Sequence, residues 1–138
     1  MPSPNRPIFD FEGKSVLVTG GTSGMGAATV DAFRQSGASV VFGGRNQERA
    51  DAIIARSSGA REAVHFVAGD VTDPEYCDGL LAKTQELVGG PDIVVNSAGV
   101  IYHATVDETT DQQWLDTFNV NVHGMFYICR AAVPLELS

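Results

Sequence analysis

The sequence predicts an α/β protein built on a doubly wound parallel sheet with four strands in the order 3-2-1-4. Three observations carry this. Short apolar runs alternate with segments of helical spacing, which implies crossover units and a parallel sheet. The runs are apolar throughout, as strands are when helices cover both faces. A glycine-rich turn follows the first run directly, and crossovers in such sheets are right-handed.

Residues 1–13 read as a flexible lead-in and residues 14–138 as one domain. The opening Met1-Pro2-Ser3-Pro4-Asn5-Arg6-Pro7 is Pro-rich without an apolar stretch, unlike a signal peptide. Lys14–Thr19, bounded by Gly13 and Gly20, is the first buried strand. Gly24–Ser36 follows, with Ala27, Ala28, Val30, Ala32 and Phe33 at helical spacing, and Gly37 stops it. Ser39–Phe42 is the second strand, and Gln47–Arg56 carries Ala50, Ile53 and Ile54 on one helical face. Ala63–Ala68 is the third strand. Asp73-Pro74-Glu75 opens a helix, with Asp73 as N-cap and Pro74 in its first turn, that ends near Gly89-Gly90. Asp92–Asn96 is the fourth strand. Asp111–Val133 keeps helical spacing through Trp114, Leu115, Phe118, Val122, Met125 and Phe126.

Composition narrows the function classes. At 138 residues the chain can bury a sizeable core. A net charge of −8 argues against non-specific nucleic-acid binding, which needs a positive surface. No apolar run approaches the ~18 residues a membrane span needs. Cys77 and Cys129 lie far apart and outside any CxxC, which reads as reduced thiols in a cytoplasmic protein. His65, His103 and His123 lack metal-ligand spacing, so no metal site is expected.

Four turns carry candidate chemistry. Thr19-Gly20-Gly21-Thr22-Ser23-Gly24-Met25-Gly26 joins the first strand to the first helix. Glycines let a backbone approach a diphosphate closely, and helix N-terminal amides then face its charge. Gly20, Thr22, Ser23, Gly24, Met25 and Gly26 are therefore candidate cofactor-binding residues. The sequence is not a P-loop, because Met25 follows Gly24, nor a nucleophile elbow, which needs GxSxG. After the second strand, Gly43-Gly44-Arg45 carries no acid for a ribose 2′-hydroxyl. The guanidinium of Arg45 suits a 2′-phosphate instead and favours NADP over NAD. After the third strand, Asp70 can meet an adenine amino group and Val71 its ring. After the fourth, the small residues of Asn96-Ser97-Ala98-Gly99 leave space for a cofactor ribose and nicotinamide, with Asn96, Ala98 and Gly99 as candidates. Asn96 can also tie neighbouring strands together through its amide.

These residues resemble the short-chain dehydrogenases/reductases, whose fold is Rossmann-like. The first turn is similar to that family's TGxxxGxG. Asn96-Ser97-Ala98-Gly99 resembles its NNAG, with Ser97 replacing an Asn. Asn119-Val120-Asn121-Val122-His123-Gly124 resembles its long-helix motif. The resemblance runs from Phe9 to Val133 and, by GxxxGxG spacing, points away from the extended branch. It implies hydride transfer between a nicotinamide cofactor and a secondary alcohol or ketone, with Asn121 as the catalytic asparagine that holds a relay water. It also implies a homo-oligomer, and the basic residue at Arg45 agrees with NADP.

The family's Tyr-x-x-x-Lys pair is missing. Its lysine lowers the pKa of a phenol that is otherwise about 10, so that tyrosine can act as general acid/base. Here Tyr76, Tyr102 and Tyr127 are followed four residues on by Leu80, Val106 and Ala131. Four strands make about two-thirds of a full dinucleotide-binding sheet of ~six strands. The expectation is an N-terminal portion of the family's domain, inactive alone, whose fourth strand is a bare edge and whose stability is marginal. A non-catalytic NADP-binding module and an inactive truncated product are the alternatives.

Overall fold

The computed structural model describes residues 9–57 and 64–136. Residues 1–8 of the expected lead-in, Ala63 of the expected third strand and the last two residues lie outside them. The described end of the lead-in turns back on the domain. The Phe11 N–H donates to the Ser36 carbonyl at 2.8 Å, and its ring meets Phe33 edge-on at 5.0 Å.

The apolar runs pair in parallel. β1 (Ser15–Thr19) lies between β2 (Ser39–Gly44) and β4 (Ile93–Asn96), and β3 (Val64–Ala68) flanks β2, which gives the order β3-β2-β1-β4. Leu17 sits level with Val41 and Val94, and Val18 with Phe42 and Val95. Successive side chains leave opposite faces of a strand, so β1 feeds two cores. Val16 and Val18 join Val40 and Phe42 beneath α1 (Gly24–Gln35) and α2 (Gln47–Arg56), through Val30, Ala50 and Ile53. Leu17 and Val41 pack beneath α3 (Pro74–Val88) and α5 (Met125–Glu136), through Cys77, Leu80, Leu81, Ile128 and Ala132. All five residues of β1 are buried, whereas all four of β4 are half-buried. No strand pairs with the outer side of β4 among the described residues.

Helix ends follow their local chemistry. The Asn46 side chain accepts from the Arg49 N–H at the start of α2, and Asp73 accepts from the Glu75 N–H at the start of α3, with Pro74 in its first turn. Gly89 closes α3 in the left-handed region, at φ 77°. Thr110 and Gln113 form a reciprocal capping box at α4 (Asp111–Phe118).

Two elements differ from the sequence reading. β2 continues through Gly43 and Gly44, which pair with Val67 and Ala68 of β3. The Gly43 carbonyl also accepts the Gly21 N–H at 3.0 Å. The long helix is broken: α4 and α5 are joined by a π-helical segment, Asn119–Gly124, and α5 runs on past Pro134. Tertiary contacts hold the wider turn. Asn121 is bonded to Val100, and a Cβ on Gly124 would lie 2.7 Å from Val71 Cγ2. Such one-turn π insertions concentrate at functional sites.

Candidate functional site

The C-terminal ends of all four strands open into one cleft of ≈ 610 Å³. This is where open α/β sheets bind their ligands. Each strand contributes the turn after it: Gly20, Thr22 and Ser23 after β1, Arg45 after β2, Asp70 and Val71 after β3, and Ala98 and Gly99 after β4. Eight of the candidate residues thus share one cavity.

The first turn is tight because its glycines leave no room for side chains. Gly20 has φ 62°, and a Cβ there would lie 2.7 Å from the backbone N and Cα of Ala98. The turns after β1 and β4 therefore touch backbone to backbone. A Cβ on Gly26 would collide with the Gly20 carbonyl oxygen, so α1 begins hard against the turn. Gly24 has open space around it but φ 56°, a conformation that L side chains resist. Gly24, the exposed Met25 and Gly26 start α1 and are not part of the cleft lining.

Thr19, which the motif reading did not single out, locks the two turns together. Its buried hydroxyl accepts the N–H groups of Ser97 at 3.2 Å and Ala98 at 3.3 Å. Its signal in the sequence is a hydroxyl at the last position of a buried strand.

On the opposite side, Arg45 Nη1 lies 3.7 Å from Asp70 Oδ2. The other carboxylate oxygen, Oδ1, accepts from the Thr72 N–H at 3.0 Å and the Thr72 hydroxyl at 2.9 Å. Beneath this pair sits Tyr76, whose hydroxyl donates to the Val67 carbonyl at 2.7 Å. The Tyr76 ring fills the space that a Cβ on Gly69 would need, and its hydroxyl the space that one on Gly43 would need. Burial, with smaller repulsion from Cys77 and Asp70, pushes the phenol above its ordinary value. Burial also pushes the neighbouring Cys77 thiol up to about 11, so neither group is a ready acid or base near neutral pH. Asn46, Gln47 and Arg49 from the start of α2, and Val120 from the π segment, complete this part of the cleft. The sequence reading missed all four, although Arg49 follows Arg45 by only four residues.

Asn96 and Asn121 stand outside the lining. Rather than bridging strands, the Asn96 amide donates to Cys129 Sγ of α5 at 3.6 Å, and its Oδ1 is buried without a partner among the described residues. Asn121 is held both ways by one residue: Oδ1 accepts the Val100 N–H and Nδ2 donates to the Val100 carbonyl, each at 2.8 Å. It thereby fixes Val100, which does line the cleft. No tyrosine lines the cleft among the described residues; Tyr102 is exposed and donates to Asp116 Oδ2 at 3.3 Å. No helix among the described residues is long and apolar enough to cross a membrane.

Comparison with known proteins agrees with this geometry. The family model described as short chain dehydrogenase matches residues 14–137. A 3beta-hydroxysteroid dehydrogenase of Mediterraneibacter gnavus is 37% identical over 126 residues, covering 91% of this chain and 46% of that protein. An NADP-dependent (R)-specific alcohol dehydrogenase of Lentilactobacillus kefiri is 35% identical over 123 residues, covering 89% of this chain and 48% of that one. Among solved structures, a short chain dehydrogenase from Burkholderia cenocepacia in complex with NADP superposes with a TM-score of 0.86 at 32% identity, over 91% of this chain and 51% of its own. The chain spans about half the length of the curated relatives it matches.

Proposed function

The chain belongs to the short-chain dehydrogenase family, and from that premise we propose that it is the cofactor-holding part of an oxidoreductase that moves hydride between NADP and a secondary alcohol or ketone. The observation that carries the reading is the convergence of the Gly20 turn and Arg45 on one cleft at the strand ends. The residues present fit a dinucleotide. The Gly20 turn is packed so tightly against Ala98 and the start of α1 that no side chain fits at Gly20 or Gly26, which keeps bare backbone at the cleft floor. α1 starts beside it with no acid in its first turn and no capping bond from the Ser23 side chain. The names of the Lentilactobacillus kefiri and Burkholderia cenocepacia proteins support NADP.

In this reading Gly20, Thr22 and Ser23, with the amides of Gly24, Met25 and Gly26 at the start of α1, hold the diphosphate. Arg45 takes the 2′-phosphate. Asp70 and Val71 meet the adenine, and Ala98 and Gly99, with Asn96 beneath, leave room for the ribose and nicotinamide. The nicotinamide supplies the chemistry of hydride transfer when bound. Asn121 acts as a positioning residue, because its side chain bonds both the N–H and the carbonyl of Val100, which lines the cleft.

The 138 residues alone bind NADP(H) without turnover in this reading, because they contain no Tyr-x-x-x-Lys. The same feature favours a second reading, a non-catalytic NADP-binding module. A free-thiol pair suits the cytoplasm. The exposed apolar residues of α4 and α5 suit a homo-oligomer.

Titration with NADPH and NADH tests the proposal. NADPH is expected to bind more tightly. Equal affinities, or tighter NADH, overturn the NADP assignment, and no binding of either overturns the cofactor reading itself. Ketone-dependent NADPH oxidation by the protein purified from its natural source separates the oxidoreductase from the binding module.

A further inference from the structure

We propose that Asp70 is an electrostatic counterweight to Arg45 that limits how strongly the cleft prefers a 2′-phosphate over a 2′-hydroxyl. The inference rests on the reading in which Arg45 meets the 2′-phosphate, and it assigns Asp70 a role beyond contact with adenine.

The geometry divides the Asp70 carboxylate into two halves. Oδ1 is committed to the fold, because it accepts both the N–H and the hydroxyl of Thr72. These bonds hold the carboxylate in one orientation and leave Oδ2 facing Arg45. At 3.7 Å the Oδ2–Nη1 separation is too long for a charge-assisted hydrogen bond, which spans about 2.7–2.9 Å. The guanidinium therefore feels the charge without spending a donor on it. Both side chains are well exposed, 70% for Arg45 and 41% for Asp70, and exposed ion pairs contribute little to stability. The turn does not need the charge either, since a neutral amide oxygen can accept the same two bonds from Thr72.

The charge does matter to a ligand. A phosphate seated on Arg45 would stand within a few ångströms of Asp70, with like charges facing across a solvent-exposed gap. A ribose hydroxyl at the same place carries no charge and feels no such penalty. Asp70 thus weakens binding of the phosphorylated ligand selectively. Arg49 lines the same cleft and is common to the wild-type chain and both variants tested below.

Asp70→Asn isolates the charge, because the asparagine oxygen keeps both Thr72 bonds. The wild-type chain, D70N and R45A are titrated with adenosine 2′,5′-bisphosphate and with AMP at low and high ionic strength. The preference for the bisphosphate over AMP should rise about fivefold in D70N, the upper end for an exposed charge pair. Most of that gain should vanish at high salt, where exposed charges are screened. R45A should lose the preference. A preference unchanged or lowered in D70N, with R45A still abolishing it, overturns this inference and leaves the NADP reading standing. A wild-type chain without preference for the bisphosphate overturns both.

Discussion

Gly20 and Ala98 meet backbone to backbone, so closely that a single Cβ on Gly20 would stand 2.7 Å from the Ala98 nitrogen. The two turns that they belong to follow neighbouring strands, β1 and β4, and form one continuous floor for the cleft.

The glycines around that contact should fail for different reasons. Gly26→Ala drives a methyl into the Gly20 carbonyl and should cost about 1–3 kcal/mol while abolishing cofactor binding. Gly24→Ala meets no neighbour but forces an L side chain to φ 56°, at a cost of about 1–2 kcal/mol. Gly24→Asn should recover much of that loss, since asparagine tolerates the left-handed region. Gly26→Asn should not. Urea titration of the four variants checks the contrast.

Arg45→Ala should lower NADPH affinity about 10- to 100-fold, the scale of losing hydrogen bonds to a charged group, and leave NADH nearly unchanged. Isothermal titration calorimetry with both cofactors reads the split. A parallel loss for both would place Arg45 away from the 2′ position.

Asn121→Ala leaves the Val100 N–H and carbonyl without their partners and should cost about 1–3 kcal/mol. Its signature is loss of the π turn's hold on the cleft wall, seen as faster amide exchange at Val100 together with weaker cofactor binding. Lost stability with slow exchange at Val100 would contradict it.

Stability should fall in alkali. The buried Cys77 thiol rises from its ordinary 9.0 to about 11, and Tyr76 is raised as well. Between those thiol values the unfolded chain has lost a proton that the folded chain keeps, so stability falls as pH rises. The urea midpoint should hold up to about pH 9 and then decline. Cys77→Ala should flatten the first part of that decline.

The outer face of α4 and α5 should drive self-association. Trp114, Leu115 and Phe118 of α4, Val122 of the π segment, and Met125 and Phe126 of α5 are all exposed, and clustered exposed apolar residues mark interaction surfaces. Sedimentation velocity should show concentration-dependent association that Phe126→Glu weakens. A monomer at every concentration would count against the oligomer.

Buried strands and capped helices were legible because their signals are local. Val16-Leu17-Val18 is apolar on both faces, and Asp73-Pro74 announces a helix start. What escaped depends on distant partners. Gly43-Gly44 has no strand propensity and becomes strand only by pairing with β3. The π turn keeps helical spacing in the sequence, and the contacts that hold it, Asn121 with Val100 and Gly124 with Val71, join residues far apart in the chain. Likewise the candidate turns were readable from their glycines. That Gly43 and Gly69 make room for Tyr76 required the third dimension.

The Thr19 hydroxyl that holds the Ser97 and Ala98 amides has a thermodynamic corollary. Among the described residues β4 pairs with β1 alone, and the turn that ends it is fastened to the end of β1. A ligand that binds the folded floor but not the unfolded chain raises the melting temperature by mass action, and at a hundredfold excess over its Kd it adds about 2.7 kcal/mol. Occupancy of the cleft thus acts as a removable staple on an edge strand, and a thermal-shift measurement reads both at once.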